Sequence, residues 1–418
     1  MTRREQQRNR IARKYLGMVA VAITIATYAI VAAPLAQAQT YQVIHTFTAG
    51  GDGGLPYAGL TMDAHGNFYG TNYYGGTHGY GTVFRMTLHG SSWILSPLYS
   101  FSGGTDGGEP QARTVFGPDG SLYGTTSYGT VYNLRPAPTR QSSAVAGWMV
   151  KTLYQFQGLE DGAYPAGDVI FDHSGNLYGA VLLGGLGCYE GCGSIYELTP
   201  SGGGWTKTVT YAFQGGSDGE APEGVLFDSA GNLLGTAYQG GEYGFGNVFE
   251  LTPSSDGWNE TTPYAFNYMG NGGFLPEAGL IEDAAGNFYG STSDGPGSSG
   301  TIFELSPTGG GWTYTVLYNL PSSYEGGPAA PLTMDAAGNL YGTINGYCQE
   351  CQGGIFKLTH NESGWAFTSL HDFTGGSDGG HPYSNVSIDA HGNLFGTAST
   401  GGAGCNGDGC GVVWEITP

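Results

Sequence analysis

The chain has 418 residues, of which 78 are Gly and 20 Pro, close to the composition at which disorder competes with folding. Its 29 Tyr, 19 Phe and 7 Trp supply the apolar area that excludes disorder. The formal net charge of −21 excludes nucleic acid as a partner, because phosphate binding needs a basic face.

Residues 1–14 carry Arg3, Arg4, Arg8, Arg10, Arg13 and Lys14. An apolar run follows from Tyr15 to Leu35, and Ala36-Gln37-Ala38 has the small-x-small form of a cleavage site. Residues 1–38 therefore read as a bacterial secretory signal peptide, with membrane attachment expected only if it stays uncleaved. The rest is expected to be secreted, periplasmic or on the cell surface. Six of the 13 Lys+Arg but only Glu5 of the 34 acids lie in 1–38, so the mature chain carries about −26. Such a surface suits cations or neutral ligands such as glycans, and also serves plain solubility.

Residues 39–418 repeat. The element G-N-x-Y-G appears at 66–70, 175–179, 231–235, 286–290, 338–342 and 392–396, with a weaker GSLYG at 120–124. Seven copies at a period of about 54 residues identify a repeat architecture. In copy one, four stretches read as strands: AGLTMD (58–63), NFYGT (67–71), GTVFRMT (81–87) and WILSPLYSF (93–101). The fourth keeps an aromatic register: Trp93/Phe101, Trp148/Phe156, Trp205/Phe213, Trp258/Phe266 and Trp365/Phe373 are all eight apart. Trp312 is followed by Leu320 in the Phe place. An even offset predicts both residues on one strand face, as packing positions between sheets.

Four antiparallel strands repeated seven times predict an all-β, seven-bladed β-propeller filling 39–418 as one domain. The repeat units run approximately 41–90, 91–146, 147–203, 204–256, 257–310, 311–363 and 364–418. The chain stops at VVWEITP (412–418), a third strand, while YQVIHTF (41–47) matches a fourth, with Phe47 in the place of Phe101 and His45 in that of Tyr99. The N-terminal strand is therefore expected to close the last blade and hide its edge.

The unit D-x-x-G-N-L-Y-G-T…G-x-G-T-V-F-x-L-T-P…W…L-Y-x-F-x-G-G-x-D-G resembles the GloVer tandem repeat of bacterial exported proteins, a family named for different C-terminal anchors on a shared repeat region. The resemblance covers about 41–418 and implies export and repeat architecture, without an activity. The chain departs from anchored members in ending at Pro418 with no hydrophobic tail. Its D-x-x-G-N-x-Y portion is also similar to NHL-type propeller blades, which implies that AGLTMD is the innermost strand.

The stretches DAHGN at 63–67 and 389–393 look like chemistry. However, His65 and His391 are replaced by Ser174, Ala230, Ala285 and Ala337 in other copies, so the stretch reads as a hairpin turn. The D-x-x-G-N turn lies on one face; the GGxDG loop and the Gly-rich loop after YGT lie together on the other. Asp52, Asp106, Asp161, Asp218 and Asp378 recur in GGxDG, with Gly272 and Tyr324 in their place in copies five and six. Turn formation is the first reading of these Asp-Gly steps and Ca²⁺ collection the second; no other metal or cofactor is expected. Tyr74, Tyr80, Tyr189, Tyr243 and Tyr347 in the neighbouring loops are the candidates for stacking on sugar rings.

GGSDG at 215–219 and 375–379 matches G-x-S-x-G, but without the strand-to-helix turn that a nucleophile elbow needs, so no catalytic residue is assigned. The close pairs Cys188/Cys192, Cys348/Cys351 and Cys405/Cys410 all fall in the Gly-rich loop and are expected to form local disulfides in an exported protein. Copy two is the odd blade: its loop shrinks to TTSYGT (125–130) and RPAPTRQSSAVAG (135–147) is inserted opposite, predicting a gap in the rim. The expected function is an exported binding or surface-interaction module for a glycan or another surface protein. The alternative is a polysaccharide lyase or hydrolase, which needs a carboxylate pair breaking the repeat. Glu109, Glu160, Glu220, Glu223, Glu242 and Glu277 deviate from the repeat but show no pairing in sequence.

Overall fold

The computed structural model describes residues 39–418 except 138–146, 159, 186, 187, 189, 190, 271, 298, 349, 350, 406 and 408, and except the side chains of 347 and 348. The predicted signal peptide and most of the copy-two insertion lie outside the described residues. Among those described, no helix is long and apolar enough to cross a membrane. The chain from Tyr41 to Thr417 is a seven-bladed β-propeller of seven four-stranded antiparallel sheets.

Blade one is Thr61–Met62, Phe68–Asn72, Thr82–His89 and Ser92–Ser100. Blade four is Glu220–Phe227, Leu233–Gln239, Asn247–Ser254 and Gly257–Ala265. Blade seven joins Ser387–Ile388, Leu394–Ala398 and Val412–Thr417 to the N-terminal strand Thr40–Thr46. The termini therefore share one sheet, as the repeat arithmetic predicts. Each repeat unit opens on the outer strand of the preceding blade, so units and blades are offset by one strand.

The first strand of each blade is innermost. Ser387 Oγ donates to the Leu60 carbonyl 2.7 Å away, and Arg113 pairs with Asp168 across the next such contact but one. The fourth strands instead alternate exposed and half-buried residues along the rim. AGLTMD forms only a two-residue strand, Thr61–Met62, whereas the first strands of blades three and four run for nine and eight residues with their prolines inside them.

One contact recurs in every blade. The glycine of Y-G-T lies beneath the aromatic ring of the third strand, so that a Cβ on Gly70 would stand 2.5 Å from Phe84 Cζ. On Gly235 it would stand 2.5 Å from Phe249 Cζ, and on Gly342 2.7 Å from Phe356 Cζ. Tyr132, Tyr196, Phe303 and Trp414 cover Gly124, Gly179, Gly290 and Gly396 in the same way. The glycine here provides room for the ring, whatever its backbone angles.

The apolar core is divided among seven clusters, one at each seam between blades. The seam of blades one and two holds Tyr69, Val83, Phe101, Leu122, Tyr132 and Leu134; that of blades seven and one holds Phe47, Leu60, Phe68, Phe84, Met86 and Phe395. The expectation that Trp93 and Phe101 share a face is overturned. Val83 pairs with Tyr99 but Phe84 with Pro97, so the outer strand carries one extra residue, and six blades show the same shift. This bulge reverses the side-chain alternation. Trp93 packs into the seam behind its blade and Phe101 into the seam ahead, so each outer strand joins both neighbours.

These contacts give opposite outcomes for two substitutions, read by chemical denaturation. Gly70→Ala overpacks the ring contact and lowers stability by about 1–3 kcal/mol. Tyr132→Phe keeps the ring and removes a buried hydroxyl that has no hydrogen-bond partner, raising stability by about 1 kcal/mol.

Candidate functional site

The turn that resembled an active site is closed on itself. Asp63 Oδ1 accepts the N–H groups of His65 (2.8 Å) and Asn67 (2.9 Å), while Oδ2 accepts Asn67 Nδ2 (2.8 Å) and the Tyr69 hydroxyl (3.2 Å). Burial acts to raise this carboxyl's pKa, but the donors outweigh it and hold it below the ordinary range. Asp172, Asp228, Asp283, Asp335 and Asp389 accept the corresponding bonds. His391 is 85% exposed, and its part in the turn is the backbone N–H that it donates to Asp389, a bond that Ala230, Ala285 and Ala337 make equally well in their own copies.

The GGxDG carboxylates are also engaged. Asp106 accepts the Ser102 N–H at 2.8 Å and the Tyr99 hydroxyl at 2.9 Å; Asp161 accepts Gln157 N–H and Tyr154 and pairs with Lys207; Asp218 accepts Gln214 N–H and Tyr211. Asp52 and Asp378 meet His45 and His371 in the same role, at 3.4 and 3.2 Å. Each ties the end of an outer strand to the turn into the next blade. Among the described residues no three His, Cys, Asp or Glu are grouped to hold a metal ion.

Of the tyrosine candidates, Tyr74 is 52% and Tyr243 48% exposed, whereas Tyr80 is half-buried with its ring 5.7 Å from that of Tyr128. Tyr189 and the Tyr347 side chain lie outside the described residues. Cys188–Cys192 and Cys405–Cys410 are disulfides with Cα atoms 5.2 and 5.5 Å apart. Cys351 is disulfide-bonded too, and the Cys348 side chain lies outside the described residues. The first two rings hold the next blade: the carbonyls of Cys192 and Cys410 accept the N–H groups of Ala221 and Leu55.

Leu55 and Ala221 belong to a second repeating device. The residue before the proline of each innermost strand has positive φ at Leu55 (55°), Glu109 (58°), Tyr164 (54°), Ala221 (57°), Leu275 (57°) and His381 (49°). Such backbone costs about 1–3 kcal/mol per non-glycine residue and persists only where surroundings enforce it. Here the enforcement comes from both sides: Glu109 N–H donates to Tyr80 of blade one, and its carbonyl accepts Ser127 N–H of its own blade. The prolines therefore enter the innermost strands at one height around the ring.

The residue after each proline varies: Tyr57, Gln111, Ala166, Glu223, Glu277, Ala329 and Tyr383. Two neighbouring pairs at this position meet across a seam. Tyr57 lies 5.3 Å from Tyr383 and 5.4 Å from Tyr73, ring centre to ring centre, and Glu223 interacts with Glu277. They form a half-buried ring at the channel mouth, aromatic at blades seven and one and acidic at blades four and five. Gln111, in the blade with the shortened loop, is exposed.

Burial first, and the Glu277 charge second, push Glu223 up to about 8; burial likewise raises Glu277, against a hydrogen bond from Ser293. Glu223 exposes part of its surface although protein encloses its carboxyl, as befits the wall of a narrow channel. This is the carboxylate pairing that the sequence did not reveal: each glutamate follows a proline, but the two lie in different repeats and meet only across the seam of blades four and five.

Away from the axis, a cleft of about 610 Å³ opens at the loop end of blade four, lined by Ser217, Glu242, Tyr243, Thr262, Tyr264 and Asn267 among others. Ser217, the G-x-S-x-G serine, lies in the short turn Gly216–Asp218.

The raised Glu223 pKa has a signed consequence. Between its ordinary value near 4.5 and about 8 the folded state binds the extra proton, so stability falls as pH rises through that window. Thermal melts from pH 5 to 8.5 are expected to show this decline, and Glu223→Gln to flatten it.

The Gloeobacter/Verrucomicrobia repeat matches residues 28–137, 129–298 and 259–418. Among solved structures, the extracellular domain of a protein described as a one-component system from B. thetaiotaomicron is 13% identical with TM-score 0.52. That match covers 90% of this chain and 40% of the other. A structure described as a 6-phosphogluconolactonase from Bacteroides uniformis is 16% identical with TM-score 0.49, covering 81% of this chain and 89% of the other. A carbohydrate-active enzyme of family AA12 from Trichoderma reesei is 13% identical with TM-score 0.42, covering 91% and 96%. At these identities the likeness is one of fold. The comparison with curated proteins found no match. Three matches that together run from residue 28 to the last residue leave one conclusion about descent: the chain belongs to the Gloeobacter/Verrucomicrobia repeat family.

Proposed function

We propose that this is an extracellular binding module whose ligand is a glycan, held at the channel mouth on the loop face. The observation that carries the reading is the ring after the prolines. Its backbone repeats blade by blade, while its side chains break the repeat into an aromatic wall (Tyr57, Tyr73, Tyr383) and an acidic wall (Glu223, Glu277). Aromatic faces cover the C–H face of a sugar ring, and carboxyls hydrogen-bond its hydroxyls. Local disulfides in the loops of this face suit an oxidising, extracellular setting. The GGxDG carboxylates, being committed to turns, are weaker candidates for calcium than the composition suggested.

A second reading is favoured by one feature. Glu223, protonated near neutral pH beside Glu277, has the character of a general acid next to a base or nucleophile, as glycan hydrolysis requires.

One set of measurements separates the readings: calorimetry and reducing-end release with neutral oligosaccharides, and melts with Ca²⁺ against chelator. Tyr57→Ala is expected to weaken channel binding at least tenfold, about 1.4 kcal/mol, with no reducing ends released. Release abolished by Glu223→Gln would establish the hydrolase. No binding by any probe overturns the glycan reading, and a Ca²⁺-dependent rise in Tm with no glycan binding would replace it with calcium.

A further inference from the structure

Five of the seven turns into the next blade are closed in the same way, and two lack the aspartate: blade five fills its place with the buried Tyr324, and blade four leaves a glycine there. In blades one, two and three a tyrosine near the end of the outer strand donates to the aspartate of the following turn, through Tyr99, Tyr154 and Tyr211; in blades six and seven His371 and His45 take that place. The equivalent residue of blade four is Tyr264, but the aspartate slot holds Gly272. No carboxylate caps this tyrosine, and its hydroxyl has no hydrogen-bond partner among the described residues. Its ring is stacked on Tyr314 with centroids 3.7 Å apart and planes 5° apart, as the capped His371 is stacked on Tyr41. Where the cap is missing, the turn swings out as Asn267-Tyr268-Met269, with Tyr268 59% and Met269 86% exposed, and the cleft of about 610 Å³ opens.

This volume lies in the range of roughly 300–1,000 Å³ usual for small-molecule sites. Its wall sets rings and a carboxylate together, as the channel mouth does, but on separate residues. Tyr264 is held rigid by Tyr314, and Tyr243, 48% exposed, comes close enough for the two phenols to interact. Glu242, Thr262, Asn267 and Ser217 add a carboxylate, an amide and two hydroxyls, and no cation is among the lining residues. Flat rings with polar groups at their edge suit a ligand that is apolar on one face and hydroxylated around its rim. A carboxylate without a cation disfavours an anion.

We propose that this rim cleft is a second binding site, for one or two units of a neutral saccharide, independent of the channel mouth. The inference rests on the glycan reading of the propeller but not on the channel as the place of binding. Two sites on one loop face allow a single chain to engage a polysaccharide at two points, raising avidity without a new contact.

The test is calorimetry on the chain 39–418 with cellotetraose, mannotetraose and trigalacturonate as probes. Variants are Tyr57→Ala for the channel, Tyr243→Ala and Glu242→Gln for the cleft, and Tyr57→Ala with Tyr243→Ala combined. Tyr243 and Glu242 are exposed, and a melt on each variant verifies folding. The expected result is two sites per chain for a neutral probe. One should persist in Tyr57→Ala and weaken at least tenfold when Tyr243→Ala or Glu242→Gln is added, with trigalacturonate the weaker ligand. A single site lost in Tyr57→Ala and untouched by the cleft variants overturns the cleft while leaving the channel. A single site lost only in Tyr243→Ala overturns the channel and upholds the cleft. No binding by any probe overturns both.

Discussion

The contact on which the rest of this propeller depends is the aromatic ring laid over a glycine between the second and third strands of each blade. Phe84 over Gly70 and its six counterparts fold a ring across the paired strand, into the space that a side chain on the glycine would need. The ring then projects into a seam, where it becomes part of the core shared with a neighbouring blade. A single blade cannot bury this surface alone, so stability resides in the seams and closure of the circle is required. Tyr132, Tyr196 and Trp414 fill the same place at the expense of a buried polar atom without a partner, so the site selects ring shape above polarity.

The seams also explain the two kinds of backbone irregularity. The bulge in the outer strand sends Trp93 and Phe101 to opposite neighbours, so one strand staples three blades. The positive-φ residues before the prolines carry strain that hydrogen bonds to the preceding and current blades hold in place. Both devices are independent of which side chain follows the proline. That leaves the channel-mouth ring free to vary, and it does vary, from Ala329 to Tyr57 to Glu223. A rigid repeating frame with a variable inner ring is the arrangement expected of a recognition surface.

Much of this was legible in one dimension. The G-N-x-Y-G period counts the blades, and the unpaired fourth strand at 41–47 foretells closure, because strand pairing needs a partner and only the last blade lacks one. The interchange of His65 with alanine in other copies reveals a turn where chemistry was suggested. The recurrence of Asp in GGxDG likewise marks turns, and the exception at Gly272 was visible as a gap in the pattern. What that gap opens was not visible, because Tyr264 is recognised as uncapped only when Tyr314 is seen behind it.

The sequence by itself determined the number of blades, the strands within them, the closure and the family, since each is encoded in short-range periodicity that repetition amplifies seven times. Only the tertiary structure decided which face each aromatic serves, because one bulged residue reverses a parity that spacing cannot report. It also decided the pairing of Glu223 with Glu277 and of Tyr57 with Tyr383. Those residues lie in different repeats and meet only where the innermost strands converge on the axis. Repetition makes the frame readable; the site is built from departures from it, and departures acquire meaning only from their neighbours in space.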